Sequence, residues 1–175
     1  GKGRHSLYLN NLGYHVTGMD LSASSILEAS KFQNEKLTFI RQDMRDPLLE
    51  NEYDLVLNLF TSFGYFENPD ENLAVLKNIH RALSSKGALV IDFFNADCVL
   101  KNIVPSETVT KKGVEFRLER FVENGFIKKK ISFTAEGKRN EFCEKVQLFG
   151  LRNFQEMLAE CGFEIKNSFG DYNLG

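Results

Sequence analysis

Little in this sequence invites disulfide, metal or membrane chemistry. Its three cysteines, Cys98, Cys143 and Cys161, lie far apart. Neither they nor the three histidines fall at metal-ligand spacing, which argues against a disulfide framework and a metal site. Free thiols fit a reducing, cytoplasmic setting. Charge of one sign is also missing: 22 basic residues face 24 acidic ones for a net −2, with a pI near 6.0. Such a chain has no general attraction for polyanions, which argues against a nucleic-acid partner. No apolar run approaches the roughly 18–20 residues of a membrane span, so no membrane association is expected. Repeats, low-complexity tracts and a signal peptide are not visible. What remains is 175 residues, 42 % hydrophobic and 26 % charged, the profile of one globular domain with a real core.

The first ninety-odd residues alternate helix-like and strand-like segments. Arg4–Leu12 reads as a short helix ended by Gly13, Val16–Met19 as a strand, and Ser22–Phe32 as a helix capped by Ser22. Leu37–Gln42 is a strand ending at Asp43. Tyr53–Phe60 is nearly continuous apolar sequence, as a strand covered on both faces requires. Asn68 starts a helix running to Leu83 with Gly87 closing it, and Ala88–Phe94 is the next strand. Alternation of this kind specifies an α/β fold with a doubly wound parallel sheet.

From about Asn95 the pattern changes to period two. Val114–Val122 and Phe126–Phe133 alternate across the turn Glu123-Asn124-Gly125, and a third run, Phe142–Phe149, follows Glu136-Gly137-Lys138. These make an antiparallel meander whose apolar face (Val114, Phe116, Leu118, Ile127, Ile131, Phe133) needs a cover. The helix Arg152–Cys161, ended by Gly162, and a strand Phe163–Phe169 resume the α/β pattern. The expected organisation is therefore a core of residues 1–94, an inserted meander 95–149 acting as lid or homodimer interface, and a return to the core over 150–175.

The start of the chain carries the densest signal. Gly1-Lys2-Gly3 is a glycine turn running into a helix, and Asp20 ends the strand that follows. Glycines serve where backbone passes close to a ligand, and a helix N-terminus offers unpaired N–H groups. An acid at the end of the next strand can grip a ribose diol. The same residues also read as ordinary loop glycines and a helix cap.

Taken in order, Gly-Lys-Gly-Arg-His-Ser, Val-Thr-Gly-Met-Asp-Leu-Ser, Arg-Gln-Asp-Met-Arg, Tyr-Asp-Leu-Val-Leu-Asn-Leu-Phe and Gly-Ala-Leu-Val-Ile-Asp resemble the class I S-adenosylmethionine-dependent methyltransferases, in the bacterial small-molecule branch. The resemblance spans roughly residues 1–94 and 150–172. It implies a Rossmann-like sheet, S-adenosyl-L-methionine as cofactor, and transfer of a methyl group to a small molecule. Under it, Gly1 and Gly3 pass beneath the methionine part of the cofactor and Asp20 binds the ribose hydroxyls. Leu21 packs on the adenine, Asp43 accepts from the adenine amine, and the Met44 N–H donates to the ring. Asn58, Leu59 and Phe60 border the methionine part and the methyl. The acidic residue and further glycine that the family carries ahead of Gly1 are absent here. The resemblance further implies a strand before Gly1 and one after Gly175, so the native protein is expected to extend at both ends.

Other positions stay open between two readings. Arg4 and His5 are candidates for the cofactor carboxylate or the substrate, or form a solvent-facing pair. Ser62 and Tyr65, after the fourth strand of the family pattern, are candidates for orienting the acceptor, while Phe63 and Phe66 read as core. No general base is assigned, because a sulfonium is already a good leaving group and alignment does most of the work. The segment Asn58-Leu59-Phe60-Thr61 lacks the Pro-Pro-aromatic pattern of enzymes that methylate base amines. Two rival classes remain: an NAD(P)-dependent oxidoreductase, which shares the glycine turn but has Arg4-His5-Ser6 where a third glycine belongs, and a non-catalytic relative that binds the cofactor or dimerises.

Overall fold

The computed structural model describes residues 1–175 as two compact units, Gly1–Leu48 and Leu49–Gly175. The division falls within the expected core of residues 1–94, and the meander and last helix belong to the second unit.

In the first unit Gly3, at φ 80°, leads into α1 (Arg4–Asn11). The chain turns at Gly13 (φ 96°) into β1 (Val16–Asp20), and α2 (Ala23–Ser30) carries it to β2 (Leu37–Arg41). Ser22 caps α2 by accepting the Ser25 N–H at 3.3 Å. The two strands pair in parallel, from Val16 opposite Leu37 to Asp20 opposite Arg41. The unit closes on Ala29, Leu37 and Phe39, with Leu7, Val16 and Ile26 packed against them.

Phe39 explains two glycines. A methyl group at Gly3 would come within 2.6 Å of the Phe39 ring, and one at Gly18 within 2.5 Å. The ring lies in the space those two positions leave empty. Gly3 therefore answers two demands at once, a left-handed backbone and a close approach between helix start and sheet.

The second unit begins with β3 (Tyr53–Asn58), α3 (Pro69–Ala82) and β4 (Leu83–Ile91). Asn68 caps α3 by accepting the Asp70 N–H at 3.0 Å, Pro69 takes the first helical position, and Asp70 and Glu71 face the positive end of the helix dipole. β3 and β4 pair in parallel with a register slip between Tyr53–Leu83 and Leu55–Ala88. This corrects the expected boundary. The helix stops at Ala82 and Leu83 already pairs, because its side chain is buried and Gly87 lies against it, a methyl there meeting Leu83 Cδ2 at 2.9 Å. Parallel pairing and βαβ order are thus present in both units, as two separate two-stranded sheets.

A short helix α4 (Ala96–Lys101), capped by Asn95, precedes a four-stranded antiparallel meander: β5 (Ser106–Lys111), β6 (Val114–Glu123), β7 (Phe126–Ala135) and β8 (Lys138–Gln147). Its three connections are two-residue turns, Lys112-Gly113, Asn124-Gly125 and Glu136-Gly137, each with φ of 52° then 73–78°. Positive φ at both positions matches the twist of a tight hairpin. The meander gains β5 over the expected three strands, and β8 starts at Lys138, earlier than Phe142. β5 holds one valine among polar residues, so it gives no alternating apolar signal.

The expected apolar face is real. Phe116 sits opposite Phe133 and Leu118 opposite Ile131, with the Phe116 and Phe133 rings 4.8 Å apart. A charged row, Glu107, Arg120, Lys129 and Glu144, crosses that face. Its neighbours Val109, Val122 and Phe142 stay 43 %, 46 % and 57 % exposed.

α5 (Leu151–Glu160) ends at Gly162 (φ 84°), and Phe154 packs on Phe63, Phe93 and Phe149. The expected strand Phe163–Phe169 is not formed. Its alternation specifies a face, but a strand exists only with a hydrogen-bonded neighbour, and this segment has none.

Candidate cofactor and substrate site

Three elements of the first unit end together. The N-terminus of α1 lies at the glycine turn, and the carboxyl ends of β1 and β2 lie side by side, with Gln42 N–H donating to Asp20 O at 3.2 Å. Carboxyl ends of parallel strands are where open α/β sheets bind ligands. Asp20 accepts the Ser22 N–H on Oδ1 at 2.7 Å and forms an ion pair through Oδ2 with the Gly1 amino group. The glycine turn and the acid thus lie in contact. Partial burial pushes the Asp20 carboxyl up, but the hydrogen bonds from Gly1 and from the Ser22 N–H outweigh it, leaving it below its ordinary value. It is an acceptor at neutral pH.

Leu21 follows with 61 % of its surface exposed, an apolar platform on a polar rim. Its carbonyl accepts from Arg41 Nε at 3.2 Å. Asp43 is more committed than its expected role suggests. The Arg45 guanidinium grips both its oxygens at 3.0 and 2.7 Å, and the Arg45 backbone N–H adds 2.9 Å. Those bonds, the guanidinium first, hold its carboxyl below the ordinary range. A carboxylate offers about four lone-pair sites, so capacity for one ligand amine remains on Oδ2. Met44 lies beside it. Arg4 is exposed at the first position of α1, and His5 is half-buried behind it.

In the second unit the site is a strained turn. Phe60 and Thr61, just past β3, both have φ of 55°. Left-handed backbone costs a side-chain-bearing residue about 1–2 kcal/mol, and for β-branched threonine it is a true outlier. Such strain persists only where neighbours over-determine it. Here they do. Asn58 Nδ2 donates to Ser62 O at 3.0 Å, Ser62 Oγ to Leu59 O at 2.7 Å, and the Tyr65 hydroxyl to Thr61 O at 2.8 Å. The Ser62 and Tyr65 protons are thus committed to the turn. Phe63 is fully buried among Phe149 and Phe154, as its core reading requires.

Two features of this end add to what the sequence assigns. Asn58 Oδ1 is buried with no donor, an acceptor without a partner at the carboxyl end of β3. Asp92, just past β4, receives the Phe60 N–H on Oδ2 at 2.9 Å and the Tyr172 hydroxyl at 3.1 and 3.2 Å. In sequence Asp92 ends the Gly-Ala-Leu-Val-Ile-Asp segment with no role attached to it, and nothing marks Tyr172.

A groove of about 1790 Å³ runs beside β4 from Glu50 and His80 to Leu59–Thr61 and Asp92–Asn95, walled by Phe149, Phe154 and residues 163–174. Small-molecule sites enclose about 300–1,000 Å³. Its length follows β4, which pairs only with β3. Only the end at Leu59 and Asp92 coincides with strand carboxyl ends.

Comparison with known proteins adds the family. Residues 1–91 match the family model described as a methyltransferase domain. The glycine/sarcosine N-methyltransferase of Aphanothece halophytica is 24 % identical over 181 residues, covering 98 % of this chain and 66 % of that protein. Among solved structures, an S-adenosylmethionine-dependent methyltransferase from Clostridium acetobutylicum superposes with a TM-score of 0.84 at 19 % identity, covering 98 % of this chain and 73 % of that one. The sugar N-methyltransferase KedS8 from a Streptoalloteichus species gives a TM-score of 0.79 at 20 % identity, covering 95 % and 70 %.

Proposed function

The chain belongs to the methyltransferase domain family as a class I S-adenosylmethionine-dependent methyltransferase, and from that premise we propose that it methylates the amino nitrogen of a small molecule. The observation carrying the donor's placement is Asn58 Oδ1, a buried acceptor lacking a donor at the end of β3. An amine is what such an atom needs, and the methionine end of the cofactor carries one. Asp20, with a lone pair left on each oxygen, suits the ribose hydroxyls, and Leu21 suits an aromatic base. Asp43 and Met44 suit the edge of that base.

When bound, S-adenosylmethionine supplies a methyl group on a sulfonium, already activated for displacement. The chain's residues then have to hold, orient and exclude water. Phe60 and Thr61, fixed in the left-handed turn, form a wall against which the donor can be oriented.

The amine class is supported by the names of relatives, which act on glycine and sarcosine or on a sugar nitrogen. A small molecule rather than a nucleic acid is supported too by the chain's net charge of −2. A small-molecule acceptor is also the reading that the glycine motif favours. The test is mass-spectrometric detection of methyl transfer from S-adenosylmethionine to a panel of glycine, sarcosine and amino sugars, each beside its N-acetyl counterpart. Transfer to free amines alone is expected. Transfer to hydroxyls, or tight S-adenosylhomocysteine binding with no transfer to any amine, refutes the proposal.

A further inference from the structure

Asp92 closes the Gly87–Asp92 run, to which no role has attached so far. Both backbone donors of the left-handed pair end on this residue. The Phe60 N–H reaches Oδ2 at 2.9 Å, and the Thr61 N–H reaches the Asp92 carbonyl at 2.9 Å. Asp92 N–H in turn donates to Asn58 O at 2.8 Å. One residue thereby joins the end of β4 to the last residue of β3 and to the two that follow. The carbonyl side of the turn is held by Asn58, Ser62 and Tyr65. Its N–H side goes to Asp92.

The carboxylate is itself oriented. The Tyr172 hydroxyl lies 3.1 and 3.2 Å from its two oxygens, although the residue as a whole is 83 % exposed. The link to Asp92 pushes the phenol's pKa up, so it stays a donor throughout the neutral range.

We propose that Asp92 is a positioning residue for the methyl-donor site: its carboxylate holds Phe60, beside the Thr61 that its backbone carbonyl holds, in the left-handed conformation that forms the wall beside the donor, and Tyr172 keeps that carboxylate aimed. The role rests on the placement of Phe60 given above. Asp92 acts through the Phe60 amide, so that amide reports on it directly. Asparagine at position 92 still presents an acceptor oxygen of the same reach, whereas alanine presents none.

The test combines two readouts on the full chain: hydrogen exchange of the Phe60 amide by NMR, and calorimetric affinity for S-adenosylhomocysteine. In Asp92→Ala the Phe60 amide should lose protection and affinity should fall about tenfold or more. Asp92→Asn should keep protection and bind within about threefold of the parent, and Tyr172→Phe should move in the same direction as alanine but less. Thr61→Gly removes the penalty for left-handed backbone. In that background Asp92→Ala should cost less than about threefold, measured against Thr61→Gly itself. Continued protection of the Phe60 amide in Asp92→Ala overturns the clamp. Loss of protection with unchanged affinity overturns the positioning role, by showing that Phe60 does not border the donor. Equal losses in Asp92→Asn and Asp92→Ala, with no relief from Thr61→Gly, also overturn it, because charge would then be what matters.

Discussion

Replacing Asp20 is the sharpest way to probe the donor site, because its bonds can be counted. Oδ1 holds the Ser22 N–H and Oδ2 the Gly1 amino group, so about one lone pair per oxygen is left, enough for the two hydroxyls of a ribose. Hydrogen bonds to a charged partner contribute about 1.5–3 kcal/mol each when well shielded. The Asp20 side chain is 27 % exposed, which places the pair of bonds together at roughly 1.5–3 kcal/mol. Asp20→Ala should therefore bind S-adenosylhomocysteine about ten- to a hundredfold more weakly. Asp20→Asn keeps one acceptor oxygen and the Ser22 bond, and should fall between alanine and the parent. Stability without ligand should change little: alanine orphans the Ser22 N–H and the Gly1 nitrogen, both exposed and open to water, at about 0.5–1 kcal/mol each. Isothermal calorimetry at pH 7, with thermal melts of the free proteins, reads both quantities. If Asp20→Ala binds within twofold of the parent, the carboxylate does not hold the ribose and the donor placement fails.

Gly18→Ala should destabilise by about 1–3 kcal/mol in urea melts, because the new methyl lands 2.5 Å from Phe39; the loss should shrink when Phe39→Leu is added, and additive losses would refute the steric account. Arg45 holds the Asp43 pKa low, so its stabilisation is complete above the unfolded value near pH 3.9 and is lost as pH falls through the lower folded value. The melting-temperature gap between parent and Asp43→Asn should accordingly close between about pH 5 and pH 2, and a gap that persists at pH 2 would contradict the pairing. The open apolar face of β6–β8 is proposed to meet a second copy: Phe142→Ser with Val122→Ser, both exposed in the single chain, should convert a dimer to a monomer in sedimentation while S-adenosylhomocysteine affinity stays within about twofold. A monomeric parent would end that proposal.

The fold was legible wherever local chemistry and tertiary demand agree. Gly13, Ser22, Asn68 and Gly162 punctuate helices in the structure as they do in the sequence, because caps and left-handed ends depend on single residues. The turns at Asn124-Gly125 and Glu136-Gly137 were legible for the same reason. β5 was not, since its one valine leaves no period to detect and register with β6 makes it a strand. Phe163–Phe169 erred in the other direction: its alternation is correct for a strand, yet pairing belongs to a neighbour, not to the segment. At the site, Asp20, the glycine turn and Asn58 are marked by their place in the pattern, whereas Asp92 and Tyr172 acquire their roles from partners 32 and 80 positions away and leave no trace in a linear pattern.

The meander's construction has a consequence for how the chain finds its structure. Each of its hairpins closes after two residues, and every strand pairs with the one just made. The search is therefore almost entirely local, with little loop entropy to overcome, and single hairpins zip in about 1–10 μs. β3 and β4, by contrast, pair only across the whole of α3, a longer closure of the kind that slows folding. The segment that looks like a late insertion into an α/β frame is thus the part best equipped to form first, and it can stand as a template before the frame it interrupts is complete.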